Sequence, residues 1–488
     1  MGFPEVGTLL THARKEAESG ETFLEFRLDY LPKPMDGVEA IRKFLAEEPD
    51  VTLLATCRRH QNHGKFNGSI EEQLRILEAA IDAGAKAVDI EIESAELVHA
   101  AVEHLRSKAW VIVSFHNFGG TPAVDPVLKR MTKIPADAYK LVTTAKKPSD
   151  SYRVLSLATS HPKTPLVMLA MGESGLPTRV LAPAYGGLYT YAAPNANEGT
   201  APGQIAARVL RHLYRVDKFS RAAKVYGVIA DPVRHSISPA VHNRGFQSKR
   251  LDAVYLPFLV QPAQLKDFFV LAEKLPVSGF SVTIPHKQKV MRYLDIVDPL
   301  TRRIGAVNTV WRKGGKWRGT NTDVHGVIGP LKKKLTIAKS SVLIAGNGGA
   351  ARSAAFSLLD AGAKVSITGR NADRVRALAK VCNAEPLTME QAESQYFDAL
   401  VHCTPIGMWP NVDQCLFKDK IPADVVFDMV YNPLETLLVK RAKEEGRDVI
   451  PGLQMFIEQA VHQFEIFTGE NAPRPAMEKA ALEALGHK

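Results

Sequence analysis

Between Glu21 and Ala193 seven short apolar runs alternate with longer helix-patterned stretches, and no other feature of the chain constrains its fold as strongly. The runs are Phe23 to Leu28, Val51 to Cys57, Ala87 to Ile92, Trp110 to Phe115, Tyr139 to Thr143, Leu166 to Met171 and Leu188 to Ala192. A strand that returns to the next strand through a helix must lie parallel to it. Seven such units over about two hundred residues predict a closed β/α barrel rather than an open sheet. An eighth run is missing: Met1 to Leu10 contains Pro4 and Gly7 and too little apolar alternation for a buried strand.

At 488 residues and 53.5 kDa the chain exceeds what one core fills, so two or three domains are expected. The stretch Gln204 to Tyr214 is patterned as a helix, and the charged segment Arg215 to Lys224 reads as a linker. A second α/β series starts at Val225 to Ile229. In it Ser341 to Ala345, Lys364 to Thr368, Ala399 to His402 and Val425 to Met429 read as parallel strands of a doubly wound domain.

The net charge of +10 suits either nucleic acid or an anionic small substrate with a phosphate-bearing cofactor. Its basic residues are dispersed, the densest run being Lys332, Lys333 and Lys334, which favours small molecules over nucleic acid. Cys57, Cys382, Cys403 and Cys415 form neither a CxxC pair nor an extracellular disulfide spacing, so a reducing compartment is expected, and no metal site. No apolar run has the length of a membrane span, and the N-terminus lacks a signal-peptide pattern. The expectation is a cytoplasmic protein, with the plastid as its place if a transit peptide precedes this numbering. Nothing in the sequence points to an oligomeric state.

Polar side chains cluster where apolar runs end: Arg27 and Asp29 after the first, Arg58 after the second, His116 after the fourth. In a β/α barrel those strand ends form the active face. Glu25 and Arg27, two apart in a strand, point to one side, the barrel interior. Arg27, Arg58 and Arg179 suit a carboxylate and hydroxyls. Lys140, inside an apolar run, is expected to be desolvated near those cations, which favours the free amine that attacks a carbonyl.

The ordered set Glu25-Phe-Arg27-Leu-Asp29, Thr56-Cys-Arg58, Ser114-Phe-His116-Asn-Phe118, Tyr139-Lys140-Leu-Val, Met168-Leu-Ala-Met171-Gly, Arg179 and Ala201-Pro202-Gly203-Gln204 resembles type I 3-dehydroquinate dehydratase over about residues 20 to 210. The resemblance implies a TIM-type (β/α)8 barrel over residues 1–216. It also implies that Lys140 forms a Schiff base with the substrate ketone while His116 moves protons at the neighbouring carbon. Arg179, Thr200 and Gln204 then anchor the substrate, and Glu25, Arg27 and Arg58 line the pocket. Where the family has a glutamate four residues beyond Arg58, this chain has Asn62, so carboxylate tuning of His116 is absent or supplied elsewhere.

Further along come Ser236-Ile-Ser238, Val282-Thr283-Ile-Pro-His-Lys287, Gly305-Ala-Val-Asn308-Thr, Asn321-Thr-Asp323, a glycine-rich turn, and Gly452-Leu-Gln-Met-Phe-Ile-Glu-Gln459. Together, from about Lys224 onward, they resemble shikimate dehydrogenase. On that resemblance Lys287 and Asp323 form the catalytic dyad, Ser236 and Ser238 bind the ring carboxylate, and Thr283, Asn308, Tyr431 and Gln459 contact ring hydroxyls. A substrate domain at 222–328 is interrupted by a Rossmann domain at 329–451 and resumes at 452–488. The turn Gly346-Asn347-Gly348-Gly349-Ala350 departs from plain GxGxxG, yet it follows one apolar run and opens a helix pattern, the context in which a helix N-terminus takes a pyrophosphate. After the next strand stand Arg370, Asn371 and Arg374 in place of an acid for the ribose, which favours NADP(H) over NAD.

The two resemblances make the chain a fused enzyme that converts 3-dehydroquinate to 3-dehydroshikimate and reduces that to shikimate. Two rivals are a quinate dehydrogenase using NAD in the second half, and a non-catalytic regulator that binds quinate-like ligands. Arg370 and the Ser236/Ser238 pair argue against the first; the presence of both Lys140 and Lys287 with their partners argues against the second.

Overall fold

A computed structural model describes residues 1–195, 198–417 and 419–486. These residues divide into two compact units, the first holding residues 1–222 and the second the bulk of the chain from Ala223 onward.

The first unit is built on six parallel strands in sequence order: β1 (Phe23–Arg27), β2 (Thr52–Thr56), β3 (Ala87–Glu91), β4 (Trp110–His116), β5 (Ala138–Thr144) and β6 (Leu166–Met171). Six of the seven predicted runs are therefore strands, and the sheet curls as a half-barrel. The seventh, Leu188 to Ala192, is not a strand. Leu188 N–H donates to Leu166 O at 2.8 Å and Ala193 forms an isolated bridge with Ala206, but no ladder follows. On the far side of β1, Arg27 N–H donates to Met1 O at 2.9 Å and the Met1 nitrogen donates to Glu25 O, before the chain turns into the helix Val6–Glu18. The expected helix Gln204 to Tyr214 is a short π-type turn over Val209–Tyr214.

Side chains alternate across a strand with period two, so the register decides which ones share the concave face. Leu54, Ala87, Ile112, Ala138 and Val167 belong to one apolar cluster. One step of two along the same strands come Thr56, Asp89, Ser114 and Lys140, with Ser114 directly opposite Lys140 in the ladder. A polar layer thus lies on an apolar floor.

In the second unit one mixed sheet contains β7 (Lys224–Ala230), β8 (Ala253–Leu259), β9 (Val277–Val282), β10 (Ile296–Val297), β11 (Thr309–Lys313) and β12 (Lys316–Thr320), in the order β10-β12-β11-β9-β7-β8. A second sheet is wholly parallel and doubly wound: β13 (Ser341–Ala345), β14 (Lys364–Thr368), β15 (Glu385–Pro386), β16 (Phe397–His402), β17 (Ala423–Asp428) and β18 (Asp448–Ile450), in the order β15-β14-β13-β16-β17-β18. All four strands expected there are present. The chain passes from one sheet toward the other along the continuous helix Asp323–Lys332, which runs through Gly329, and it returns through the helix Gly452–Thr468.

Candidate active sites

The first unit holds a cavity of about 60 Å³ lined by Glu25, Arg27, Arg58, His116, Lys140, Arg179, Thr200 and Gln204, so every substrate and catalytic residue expected in this half faces one space. Lys140 is 5% exposed. The charges nearest to it correct the sequence expectation. They are carboxylates, not arginines: Lys140 Nζ donates to Asp89 Oδ2 at 3.0 Å and lies 3.7 Å from Glu25 Oε1. It also donates to the hydroxyl of Tyr191 at 2.8 Å.

Asp89 joins the lysine to the rest of the site. Its Oδ1 accepts from Arg58 Nη2 at 2.5 Å and from Ser114 Oγ at 2.7 Å. Burial opposes its ionisation, but Arg58 and Lys140 outweigh burial and hold the carboxyl well below the usual range. Glu25, which accepts from Thr56 Oγ1 at 2.8 Å, is likewise held low against burial by Lys140.

His116 presents its ring to Arg58, whose Nη1 lies 2.6 Å from Nε2 and 2.8 Å from Nδ1. A guanidinium only donates, so whichever nitrogen accepts carries a bare lone pair and the ring is neutral. Burial, then Arg58 and Lys140, push the imidazole well below 6.5, which agrees. The ring is a base at neutral pH. Asn62 does not serve it: its Nδ2 donates to Glu93 Oε2 at 2.9 Å. The carboxylate that acts on His116 is Asp89, raising its basicity from behind Arg58.

Arg179 is 1% exposed, and its described partners are two backbone carbonyls, Pro202 O at 3.2 Å and Tyr191 O at 3.5 Å, with Nε unpartnered. Burial alone lowers its pKa to about 10. A buried guanidinium without a counter-ion, facing a cavity, is a site for an anion. Gln204 Oε1 accepts from Thr200 N–H at 2.6 Å, which fixes both at the rim.

The second unit holds a cavity of about 340 Å³ lined by Ser236, Ser238, Thr283, Lys287, Asn308, Asp323, Tyr431 and Gln459, again the full expected set. Lys287 follows β9, and its carbonyl is held by Val307 N–H at 2.7 Å. Asp323 opens the helix Asp323–Lys332, where an acid is favoured by the N–H end. Lys287 Nζ donates to Asp323 Oδ2 at 2.5 Å, while Asn308 Nδ2 donates to Asp323 Oδ1 at 2.7 Å. Asn308 has no spare capacity: Nδ2 also donates to Thr322 Oγ1 at 3.0 Å, and Oδ1 accepts from Thr309 Oγ1 and Thr322 N–H, each at 2.7 Å. Its amide thereby orients the aspartate at the cavity wall.

The glycine turn lies between β13 and the helix Gly349–Asp360, whose first N–H groups have no side-chain cap. Gly346 has φ +130°, a conformation that favours glycine, and an added Cβ there would lie 3.1 Å from Cys403 O. A Cβ at Gly349 would meet Lys287 Cδ at 3.3 Å, so the turn closes directly on the dyad lysine. Arg370 is exposed just after β14 and Arg374 in the first turn of the helix Ala372–Cys382, which Asn371 caps by accepting from Arg374 N–H at 3.0 Å. Ala350 lies in the first turn of the helix after the glycines.

Three contributors were missed from sequence. Asp89 is an acid within a strand buried along its whole length, and that pattern was a usable signal. Gln463 stands one helical turn from Gln459 and donates to Thr309 Oγ1 at 3.1 Å and Asn308 O at 3.3 Å. Tyr191 gave no signal of its own.

The chain matches the family models described as type I 3-dehydroquinase over residues 1–220, shikimate dehydrogenase substrate binding domain over 228–310, and shikimate 5'-dehydrogenase C-terminal domain over 452–482. It is 34% identical over 494 residues to a bifunctional 3-dehydroquinate dehydratase/shikimate dehydrogenase, chloroplastic, of Arabidopsis thaliana, covering 96% of this chain and 81% of that protein. It is 40% identical over 269 residues to a shikimate dehydrogenase (NADP(+)) of Oleidesulfovibrio alaskensis, covering 54% of this chain and 96% of that one. A crystal structure of a shikimate dehydrogenase in complex with NADP+ aligns at TM-score 0.52 and 36% identity, over 55% of this chain and 97% of that one.

Proposed function

The chain belongs to the bifunctional 3-dehydroquinate dehydratase/shikimate dehydrogenase family, and from that premise we propose which side chains perform each of its two reactions. It is a lyase and an NADP-dependent oxidoreductase of the shikimate pathway, dehydrating 3-dehydroquinate and reducing the 3-dehydroshikimate formed to shikimate. The observation that carries the assignment is that each cavity holds one lysine bonded to an aspartate, Lys140 to Asp89 and Lys287 to Asp323.

In the first unit Lys140 attacks the ketone and becomes an imine, which draws electrons from the adjacent carbon. Neutral His116 removes a proton from that carbon and returns one to the departing hydroxyl. Arg179 takes the substrate carboxylate, while Arg27, held by Asp29 through two hydrogen bonds of 2.8 Å, and Arg58 line the opposite wall with Glu25. Thr200 and Gln204 close the rim.

In the second unit the substrate carboxylate rests on Ser236 and Ser238, with Thr283, Tyr431 and Gln459 around the ring. Lys287 delivers a proton to the carbonyl oxygen, and Asp323, steadied by Asn308, keeps its Nζ aimed. The uncapped helix start, the glycine turn and the acid-free end of β14 fit NADP(H): residues Gly346 to Ala350 hold the pyrophosphate and Arg370, Asn371 and Arg374 the 2′-phosphate. Bound there, the nicotinamide supplies the hydride for the ketone carbon. Residues 1–216, 222–328, 329–451 and 452–488 are the corresponding functional segments.

For location, we infer the cytoplasm or a plastid. No helix among the described residues is long and apolar enough to cross a membrane, and the Arabidopsis relative is named chloroplastic.

Borohydride added with 3-dehydroquinate should trap ligand on the N-terminal half. Lys140→Ala should abolish labelling and dehydration and leave NADP-dependent shikimate oxidation intact. Labelling that persists in the variant would overturn the assignment of Lys140.

A further inference from the structure

An imine cannot form by nucleophilic attack alone. The ammonium of Lys140 must lose two protons in all, and the carbonyl oxygen must gain two before it leaves as water. Among the described residues three groups lie within reach of Nζ: Asp89 at 3.0 Å, Glu25 at 3.7 Å and the Tyr191 hydroxyl at 2.8 Å. The two carboxylates are poor carriers. Both are held in the charged form, Asp89 by hydrogen bonds from Arg58 and Ser114 and Glu25 by one from Thr56, so neither accepts a proton readily nor has one to give. His116 is turned to Arg58 and serves the carbon.

Tyr191 is different in kind. It is 9% exposed, packs in the apolar cluster on the concave face, and lies with its ring centroid 4.1 Å from Nζ and its hydroxyl in hydrogen-bond contact with it. A hydroxyl both accepts and donates, so it can take a proton from one atom while handing its own to another. In the carbinolamine the departing oxygen is bonded to the same carbon as Nζ and is therefore close to any group that touches Nζ.

We propose that the Tyr191 hydroxyl is a catalytic proton relay of the dehydratase, passing the protons that leave Lys140 one at a time to the oxygen expelled from the carbinolamine. The step balances. The Nζ–C bond forms as the carbonyl π pair moves to oxygen. The phenol accepts a proton from nitrogen and gives its own to that oxygen twice in succession: the ammonium proton makes the oxygen a hydroxyl as the Nζ–C bond forms, and a second proton, from the nitrogen of the carbinolamine, makes it water. The C–O bond then breaks with its pair leaving on water, and the nitrogen lone pair closes the C=N⁺ bond. The phenol ends as it began. Burial, with Glu25 nearby, keeps this phenol protonated far into the alkaline range, as a relay requires. The same group serves imine hydrolysis in reverse when product leaves.

This inference rests on Lys140 as the imine-forming residue, and the test separates the two. Tyr191→Phe keeps the ring and removes the hydroxyl. In a single-turnover quench with borohydride and 3-dehydroquinate, the variant should reach the wild-type extent of labelling at a rate lower by about a hundredfold, the lower end for general acid–base catalysis. The solvent deuterium isotope effect on that rate should shrink, while shikimate oxidation by the same chain is unchanged. Tyr191→3-fluorotyrosine keeps size and hydroxyl but makes the phenol more acidic, so the alkaline limb of the labelling rate should move to lower pH. Labelling of Tyr191→Phe at the wild-type rate, or a fluorotyrosine profile that coincides with wild type, overturns the relay. Wild-type protein that is never labelled overturns the Lys140 reading beneath it.

Discussion

Replacing Asp89 by asparagine tests whether one carboxylate organises the dehydratase site. Its side chain is fully buried and neutralises two cations, Arg58 at 2.5 Å and Lys140 at 3.0 Å. Asparagine fills nearly the same space but takes from buried Arg58 its acidic partner and leaves Lys140 with Glu25 alone, at 3.7 Å. Removing one member of a buried ion pair costs about 3 to 5 kcal/mol, which for a unit of this size lowers Tm by roughly 6 to 20 °C. The sign with pH follows from the depressed folded-state pKa. The contribution is present above the ordinary carboxyl value of 3.8 and is lost as pH falls through the folded value, so the variant and wild type should differ fully at pH 7 and converge in strong acid. Thermal inactivation of the two activities of one chain is the assay. Asp89→Asn should bring forward the loss of dehydratase activity at pH 7 and leave the dehydrogenase midpoint in place. A dehydratase midpoint within 2 °C of wild type, with kcat unchanged, would refute the argument that Asp89 holds Arg58 and Lys140.

The lowered pKa of His116 predicts a pH profile: protonation destroys the base, so dehydratase kcat/KM should hold as pH falls through 6.5 and decline only well below it, and an acid limb at or above 6.5 would contradict neutral His116. Arg370→Ala should weaken NADPH roughly ten- to a hundredfold and NADH little, read from the two KM values, because it removes one charged hydrogen-bond partner of a 2′-phosphate; equal losses would contradict the role. Hydrogen exchange should be faster in Phe23–Arg27, which ladders with β2 and has the bonds to Met1 on its far side in place of a strand, than in Ser341–Ala345, which has strands on both sides, and equal protection would show that the missing neighbour strand of β1 costs nothing.

What the sequence made legible was periodic. Glu25, Arg27, His116 and Lys140 stand at strand positions that the register puts on one face once the strands pair in order, and Arg58 follows two residues after the end of β2. The run Leu188 to Ala192 failed for the complementary reason. Its aromatic alternation gives a tendency to extend, but a strand exists only in a ladder, and its recorded tie to β6 is the single bond from Leu188 to Leu166. No local pattern states whether a partner will be there.

The contacts that were not legible are those whose meaning lies between elements. Asp89 and Lys140 are 51 residues apart, on strands separated by β4, and nothing in either run announces the other. Read alone, Lys140 falls among arginines because those are the charges at neighbouring strand ends, whereas the ladder brings Asp89 to 3.0 Å from Nζ. The error had a chemical consequence. Nζ is held by two carboxylates that have no proton to give, so the protons that move during imine formation need another carrier, and this is why the hydroxyl of Tyr191 matters. The second unit shows the same dependence: the resemblance makes Asn308 a contact of the ring hydroxyls, and the structure adds its hydrogen bonds to Asp323, Thr322 and Thr309, which no local pattern announces. Lys140 stands out by its type and its place inside an apolar run, and Lys287 only through the ordered motifs of the resemblance, while the residues bonded to each become visible only once the backbone has folded.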